Sequence, residues 1–553
     1  MALICLSPVM AMRDFSPSNE LRYLSIADEA LREGHIFAFT NHGVAYADKP
    51  PLYLWIIMLC RLIFGGHCMY VLSLFSFIPA CVIVWAMDRW IYGSRGNALP
   101  DAPCRQINQE RASMALMLCS TGLFLGMSVF LRMDMLMVMF IVLALWSWHR
   151  DRPWLFALYT FLALFTKGPV GFLMPPLAVL TYSMSCRIAS RRRGELFEAD
   201  HHSSIGRWLG WRFWTLMAGL CALWFAGVYF DGGKEYLDNL LFHQTVGRAV
   251  NSFHHDRPLW YYLINIWTVL APWCLLAVPG AVRSLLWRGG TALPAGRAFS
   301  DGAAPLVPGV DVGETAAVSE AGAACVDAGR TEKMFRCAVF ATFVMLSCFS
   351  AKLAIYLAPI FPFIIYLVPL TARRLGWRRW MSWAVAVPAA VVALIALVLA
   401  LVVPLWGLIP ALEPFAFARS PLLALAGLML AAGCVLTVVK AWRSRDVTCA
   451  WPLAVGLFAA VLLVSPLIPQ ANDYVGYGNL CRDIPAGETV YVRKVHRPEN
   501  MDVYLGRDVV KVAADDPVPS DGVLVSKAGF DDPALSGRTK IVHGEYAVWL
   551  PQK

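Results

Sequence analysis

The chain has 553 residues, of which 58% are hydrophobic and only 15% are charged. Soluble domains carry about 45–50% apolar and roughly 25% charged residues, so an ordinary water-soluble globule is excluded. The net charge of +9 resides largely in basic loops between apolar runs, which speaks for membrane topology and against nucleic-acid binding.

Apolar runs of about 20 residues span a bilayer as helices, which satisfy their own backbone hydrogen bonds. Spans are expected at 69–88, 112–131, 134–149, 153–167, 169–185, 212–230, 258–282, 335–349, 354–370, 380–405, 420–439 and 449–468. The first 12 residues are apolar but short, and read as the end of an earlier span whose beginning is missing. The expected fold class is therefore an all-α polytopic membrane domain of about 12–13 transmembrane helices, over residues 1–469. The cysteines, such as Cys60, Cys81, Cys119 and Cys221, fall mostly inside apolar runs without a CxxC pair, and read as small core residues.

If the spans alternate, the loops rich in Arg and Lys (89–111, 150–152, 187–212, 283–336, 371–379 and 440–445) fall on one side. The positive-inside rule makes that side cytoplasmic. The loops 13–68, 131–134, around Lys167, 231–257, around Lys352 and 406–419 are then external, as is the tail from 470 to 553. The stretch from Pro51 to Gly65 breaks the alternation if it spans, and reads as an interfacial or re-entrant helix. Residues 287–333, rich in Ala, Gly and Val, read as a flexible cytoplasmic linker. The tail carries short β-rich runs between Pro, Gly and Asp clusters, as expected of a small external α/β or β-rich domain.

The sharp motifs lie on the external side. The first loop reads Arg13-Asp14-Phe15-Ser16-Pro17-Ser18-Asn19-Glu20-Leu21-Arg22-Tyr23, followed by a helical stretch to about Glu33. Ser18 or Asn19 is a candidate cap, with Glu20 favoured in the first turn by the helix dipole; the other reading makes Glu20 a base or ligand facing a cavity. Tyr46-Ala47-Asp48-Lys49-Pro50-Pro51 follows, with two prolines fixing an extended approach to the apolar segment. Lys49 is either a snorkelling interfacial lysine or part of a site. Arg132-Met133-Asp134 sits between two closely joined spans, either as an ion pair tying helices or as functional groups. Thr166-Lys167-Gly168-Pro169 and Ser350-Ala351-Lys352 place further cations at external turns. Lys49, Arg132, Lys167 and Lys352 together call for an anion, and a phosphate at the membrane surface suits them. The loop with His243, His254, His255 and Asp256 invites a metal reading, although its spacing matches no standard signature. Trp260, Tyr261 and Tyr262 read as an interfacial aromatic belt.

The order of these motifs resembles the aminoarabinose lipid A transferases and the protein O-mannosyltransferases, which are GT-C membrane glycosyltransferases. The resemblance runs from about residue 13 to 470 and is densest up to residue 170. It implies transfer of a sugar from a polyprenyl-phosphate donor to a lipid (lipid A-like), glycan or protein acceptor outside the cytoplasm, at a bacterial inner membrane. In the family the first loop carries an Asp-Glu pair; here it reads Asn19-Glu20, and Asn takes no proton. Glu20 keeps its place in the family motif and Asp134 matches a second family carboxylate; one carboxylate suffices as base for an acceptor hydroxyl, Glu20 preferred with Asp134 as the alternative. Asp48-Lys49 matches a Glu-Lys pair whose acid can hold a divalent metal ion with a loop histidine, here His243. Tyr46, Lys352 and Tyr356 match positions lining the donor-phosphate cavity, and Arg22 belongs to the same donor-binding set. A polyprenyl-lipid or solute transporter is the alternative; it calls for charges near the middle of spans, whereas these collect at external turns.

Overall fold

The computed structural model describes residues 2–93, 104–194, 200–241, 257–286, 312–403, 405, 418–519 and 521–551. The chain folds as a helical membrane domain followed by a small C-terminal sheet. Seven described helices are long and apolar enough to cross a membrane: Met69–Tyr92, Pro169–Arg193, Ile205–Leu241, Ala354–Leu375, Arg379–Val402, Pro421–Arg443 and Val447–Val475. Apolar helices of 10–17 residues accompany them at Ala2–Met12, Leu52–Phe64, Asp134–His149, Pro153–Lys167 and Cys274–Leu285. The expected twelve to thirteen spans count most of these shorter helices as well.

In chain order the elements that carry the site are α1 (Ala2–Met12), α2 (Glu20–Glu33), α3 (Leu52–Phe64), α4 (Met69–Tyr92), α5 (Cys104–Cys119), α6 (Gly122–Val129), α7 (Asp134–His149), α8 (Pro153–Lys167) and α9 (Pro169–Arg193). Two expected spans are broken. The run 112–131 divides into α5 and α6, bent by 73°. Ser120 and Thr121 at the break return their hydroxyls to the carbonyls of Leu116 and Met117, and the Trp273 indole donates to Ser120. The run 258–282 divides into helices Tyr261–Val269 and Cys274–Leu286. Residues 312–333, read as linker, form the start of helix Val312–Cys348; residues 287–311 and the histidines at 243, 254 and 255 lie outside the described residues.

Helix α2 buries Leu21, Leu24, Ala27 and Ala30 along one face and ends at Gly34, whose φ of 80° is the left-handed cap glycine adopts without strain. The expected caps are not used: Asn19 makes no capping bond, and Ser18 instead meets His496 of the tail at 2.9 Å. The helix α3 starts behind Pro51 and is 13 residues long, in keeping with an interfacial or re-entrant element.

The C-terminal sheet has the order β4-β3-β5-β7-β6, with β3 (Val490–Val492), β4 (Val510–Lys511), β5 (Val523–Lys527), β6 (Thr539–His543) and β7 (Tyr546–Leu550). β3 runs parallel to β4 and β5, and the rest is antiparallel. The sheet shares a core with the first loop: Tyr23, Leu24, Ile57 and Leu131 pack in one cluster with Tyr477, Leu480, Val490 and Val523. Polar ties reinforce it. Asp14 accepts from the Gly478 N–H at 2.6 Å and from the Tyr504 hydroxyl, and Asn500 donates to the Pro17 carbonyl at 2.8 Å. The tail thereby braces the loop that carries Arg22.

Candidate active site

A turn between α6 and α7 is the centre of the site. Ser76 of α4 donates to the Phe130 carbonyl at 2.7 Å and to the Arg132 carbonyl at 3.2 Å. From the other side Glu20 accepts the Leu131 N–H at 2.7 Å. The turn is thus pinned on both sides and presents Arg132 and Asp134.

Asp134 is 2% exposed and lies between two cations. Arg132 Nε donates to its Oδ2 at 3.2 Å, and Lys167 Nζ donates to its Oδ1. Lys167 ends α8, and Gly168 next to it has φ 88°, ψ −149°, a conformation that lets Pro169 begin α9 at once. The Lys167 ammonium also lies 4.9 Å from the centre of the Tyr356 ring, a cation–π contact.

A second group of side chains comes from α2 and the segment behind it. Arg22 lies 5.6 Å and 5.7 Å from the ring centres of Tyr23 and Tyr46 and interacts electrostatically with Asp48. Burial works against its charge, yet Tyr46, Tyr23 and Asp48 hold the guanidinium above its ordinary value. Tyr23 joins the two groups, since its phenol interacts with Arg22 and also with Arg132 and Asp134. Burial pushes that phenol up against the opposing pull of the two arginines. Tyr23 stands in the Asn19-Glu20-Leu21-Arg22-Tyr23 string, but the string alone does not tell a site residue from a core aromatic.

Of the expected site residues, the structure therefore brings together Arg22, Tyr46, Asp48, Arg132, Asp134, Lys167 and Tyr356. Lys352 is 4% exposed and donates to the Arg257 carbonyl at 3.0 Å, four residues before Tyr356 in the chain. Lys49 is half-buried beside Asp48. His243 lies outside the described residues, so the Asp48–His243 metal pair has one described member.

Glu20 is bonded to Arg13 rather than to Arg132 or Lys167. It is 1% exposed and receives four donors: Arg13 Nη1 at 2.6 Å, Arg13 Nη2 at 2.8 Å, Ser16 N–H at 2.8 Å and Leu131 N–H at 2.7 Å. A carboxylate offers about four lone-pair sites, so Glu20 is fully used, whereas Asp134 has two bonds and retains acceptor capacity.

The fold and this cluster of charged side chains define a polytopic helical membrane protein with a small C-terminal sheet. No protein-family model matches the chain. It is similar to the undecaprenyl phosphate-alpha-4-amino-4-deoxy-L-arabinose arabinosyl transferase 1 of Pseudomonas fluorescens, 26% identical over 300 residues, covering 51% of this chain and 47% of that protein. The corresponding transferase of Pseudomonas aeruginosa is 26% identical over 279 residues, 48% of this chain and 46% of that one. The chain thus spans about half the length of the curated relatives it matches. The crystal structure of ArnT from Cupriavidus metallidurans bound to undecaprenyl phosphate superposes with a TM-score of 0.65 at 15% identity, covering 99% of this chain and 96% of that one. Its apo state gives 0.63 at 17% identity. The chain has the fold of these structures and resembles the aminoarabinose transferases.

Proposed function

We propose that the chain is a membrane glycosyltransferase that moves a sugar from a polyprenyl-phosphate donor to an acceptor on the external face of a bacterial inner membrane. The acceptor that suits the relatives' chemistry is a lipid A-like lipid; glycan and protein acceptors remain within the same reading. The observation that carries the proposal is that Arg132 and Lys167 meet on one buried, under-used carboxylate, Asp134, with Tyr356 on Lys167 and with Arg22 and Tyr46 joined to the group through Tyr23.

In a single displacement the acceptor oxygen forms a bond to the anomeric carbon as the bond from that carbon to the donor phosphate breaks. The electron pair leaves with the phosphate. Arg22, Arg132 and Lys167 stabilise that charge, so the leaving group needs no proton. If the acceptor is a hydroxyl, Asp134 takes its proton; if it is a phosphate, it is already ionised. The configuration at the anomeric carbon inverts. Glu20 then has a positioning role, holding Arg13 and the turn that carries Arg132. Asp48 with His243 is the proposed place for a divalent metal ion. Among the described residues Asp48 faces Arg22, which makes a salt-bridging role equally chemical, and no step is routed through the ion.

The test is to supply purified protein in lipid with radiolabelled undecaprenyl-phosphate aminoarabinose and a lipid A acceptor. Labelled lipid A with an inverted anomeric centre supports the proposal. Absence of transfer from this and other polyprenyl-phosphate sugars, or a retained centre, counts against it.

A further inference from the structure

The first loop and the C-terminal sheet face each other across a second cluster of metal-ligand side chains. β1 (Thr40–Asn41) and β2 (Val44–Ala45) form a tight hairpin with His42 and Gly43 at its turn. His42 has φ 53°, a left-handed conformation that a β-carbon disfavours. Glu29 of α2 holds the turn there, accepting the His42 N–H at 2.6 Å, the Gly43 N–H at 2.8 Å and the Thr40 hydroxyl at 2.7 Å. The imidazole is thereby fixed over the tail. Opposite it, the short helix Asp502–Leu505 begins with Asp502, and Asp508 follows the left-handed Gly506.

One ligand atom from each of His42, Asp502 and Asp508 lies within 4.8 Å of the others. His42 Nδ1 is 3.7 Å from Asp508 Oδ1. Ser25 of α2 closes the group, donating to Asp502 Oδ2 at 2.7 Å and lying 3.2 Å from His42 Nε2. Three arginines, Arg32, Arg61 and Arg507, line the neighbouring cavity, and two of them have partners elsewhere. Arg61 binds Asp28 and the Gly65 carbonyl, and Arg507 binds the Pro485 carbonyl. A cavity of about 370 Å³, lined by Asp28, Glu29, Arg32, Asp502 and Asp508 among others, opens the cluster to solvent.

The geometry points to a divalent metal site: we infer that His42, Asp502 and Asp508 bind a transition-metal cation of the Zn²⁺ or Mn²⁺ class, clipping the C-terminal sheet to the first loop. One imidazole and two carboxylates form a mixed N/O set, which suits Zn²⁺ or Mn²⁺ better than the all-oxygen preference of Ca²⁺ and Mg²⁺. Ligand atoms about 2.0–2.2 Å from a tetrahedral zinc lie roughly 3.3 Å apart, so the cluster must tighten by up to about 1.5 Å. Asp508, with its side chain 88% exposed, is free to make that movement. Ser25 bonds a ligand carboxylate and so orients it, the usual part of an outer-sphere partner. The clip joins residues 42 and 502–508 and shares no residue with the Asp48–His243 pair. It acts on α2, the helix that also carries Arg22 and Tyr23.

The test uses the full-length protein in detergent, stripped with chelator. Zn²⁺ is titrated by calorimetry, and thermal unfolding is followed with and without the metal, in the Asp48→Asn background so that zinc at the other pair does not contribute. The expected result is one saturable Zn²⁺ that raises the unfolding temperature. Affinity falls at least tenfold in Asp508→Asn and His42→Gln, and about 10–100-fold in Ser25→Ala. Asp508→Asn is a surface change, so it stays informative even if His42→Gln folds poorly. Absence of a zinc-dependent shift, or unchanged affinity in both Asp508→Asn and His42→Gln, overturns the inference.

Discussion

Replacing Glu20 separates a positioning role from a catalytic one. Its carboxylate is the counter-ion of Arg13, whose side chain is 6% exposed, and it also satisfies the backbone of Ser16 and Leu131. Removing one partner of a buried ion pair leaves the other charge uncompensated, at about 3–5 kcal/mol. Glu20→Ala is therefore expected to lower stability by about that amount, and to loosen the turn that holds Arg132. Glu20→Gln keeps one acceptor oxygen and loses the charge, so it falls between, at about 1–3 kcal/mol. Thermal unfolding in detergent and steady-state transfer kinetics, measured on the same preparations, check both. Transfer should fall in proportion to the loss of stability, with the shape of the pH–rate profile unchanged. A Glu20→Gln protein with the parent unfolding temperature and a kcat lowered about 10²–10⁴-fold would show Glu20 to be the base, and would refute the reasoning.

The remaining expectations concern single groups. Asp134→Asn should lower kcat about 10²–10⁴-fold for a hydroxyl acceptor, and far less for a phosphate acceptor, so comparing acceptors also reads out the need for a base. Lys167→Met should cost about 10²–10³ in kcat by removing a cation from the departing phosphate, measured with labelled donor. Gly168→Ala places a β-carbon at φ 88° and should lower stability by at least about 1 kcal/mol, seen as a lower unfolding temperature. Burial opposes the charge of Glu499, in the turn Pro498–Met501 of the C-terminal region, yet Lys511, a backbone N–H and Arg497 hold its carboxyl below the ordinary value. A depressed carboxylate contributes stability above its unfolded value and loses it as pH falls through the folded one. Glu499→Gln should flatten that acid limb by up to about 1 kcal/mol, since Lys511 is largely exposed.

Much of the arrangement was legible because membrane insertion writes itself into composition. The apolar runs and the placement of arginines locate the spans, and α2 falls where its periodicity puts it, from Glu20 to Glu33. The cations at helix turns were also readable, because Arg132 and Lys167 have no reason to sit beside apolar runs without an anionic partner. The structure supplies one such partner within the protein, Asp134. The role of Glu20 was not legible. Its donors come from Arg13 and from Leu131, 111 residues away, and a contact at that separation leaves no local pattern. The break between α5 and α6 was hidden for a similar reason. Ser120-Thr121-Gly122 reads as an ordinary polar dip in an apolar run, and the bend is held from a distant segment, by Trp273 donating to Ser120 and by the Gly122 N–H donating to the Ala271 carbonyl at 3.0 Å. The short helices α7 and α8 fall where the apolar runs put them, at Asp134–His149 and Pro153–Lys167.

The central claim is that the cations around Asp134 hold the phosphate of a polyprenyl-linked sugar during transfer. The most direct measurement is single-turnover transfer of radiolabelled undecaprenyl-phosphate aminoarabinose to lipid A by the protein in proteoliposomes, comparing the parent with Lys167→Met and Arg132→Met. The account expects labelled lipid A of inverted configuration from the parent, and a chemical step slowed at least about 10²-fold in each variant. Transfer at the parent rate in both variants would contradict it, as would movement of the donor between leaflets with no sugar transferred.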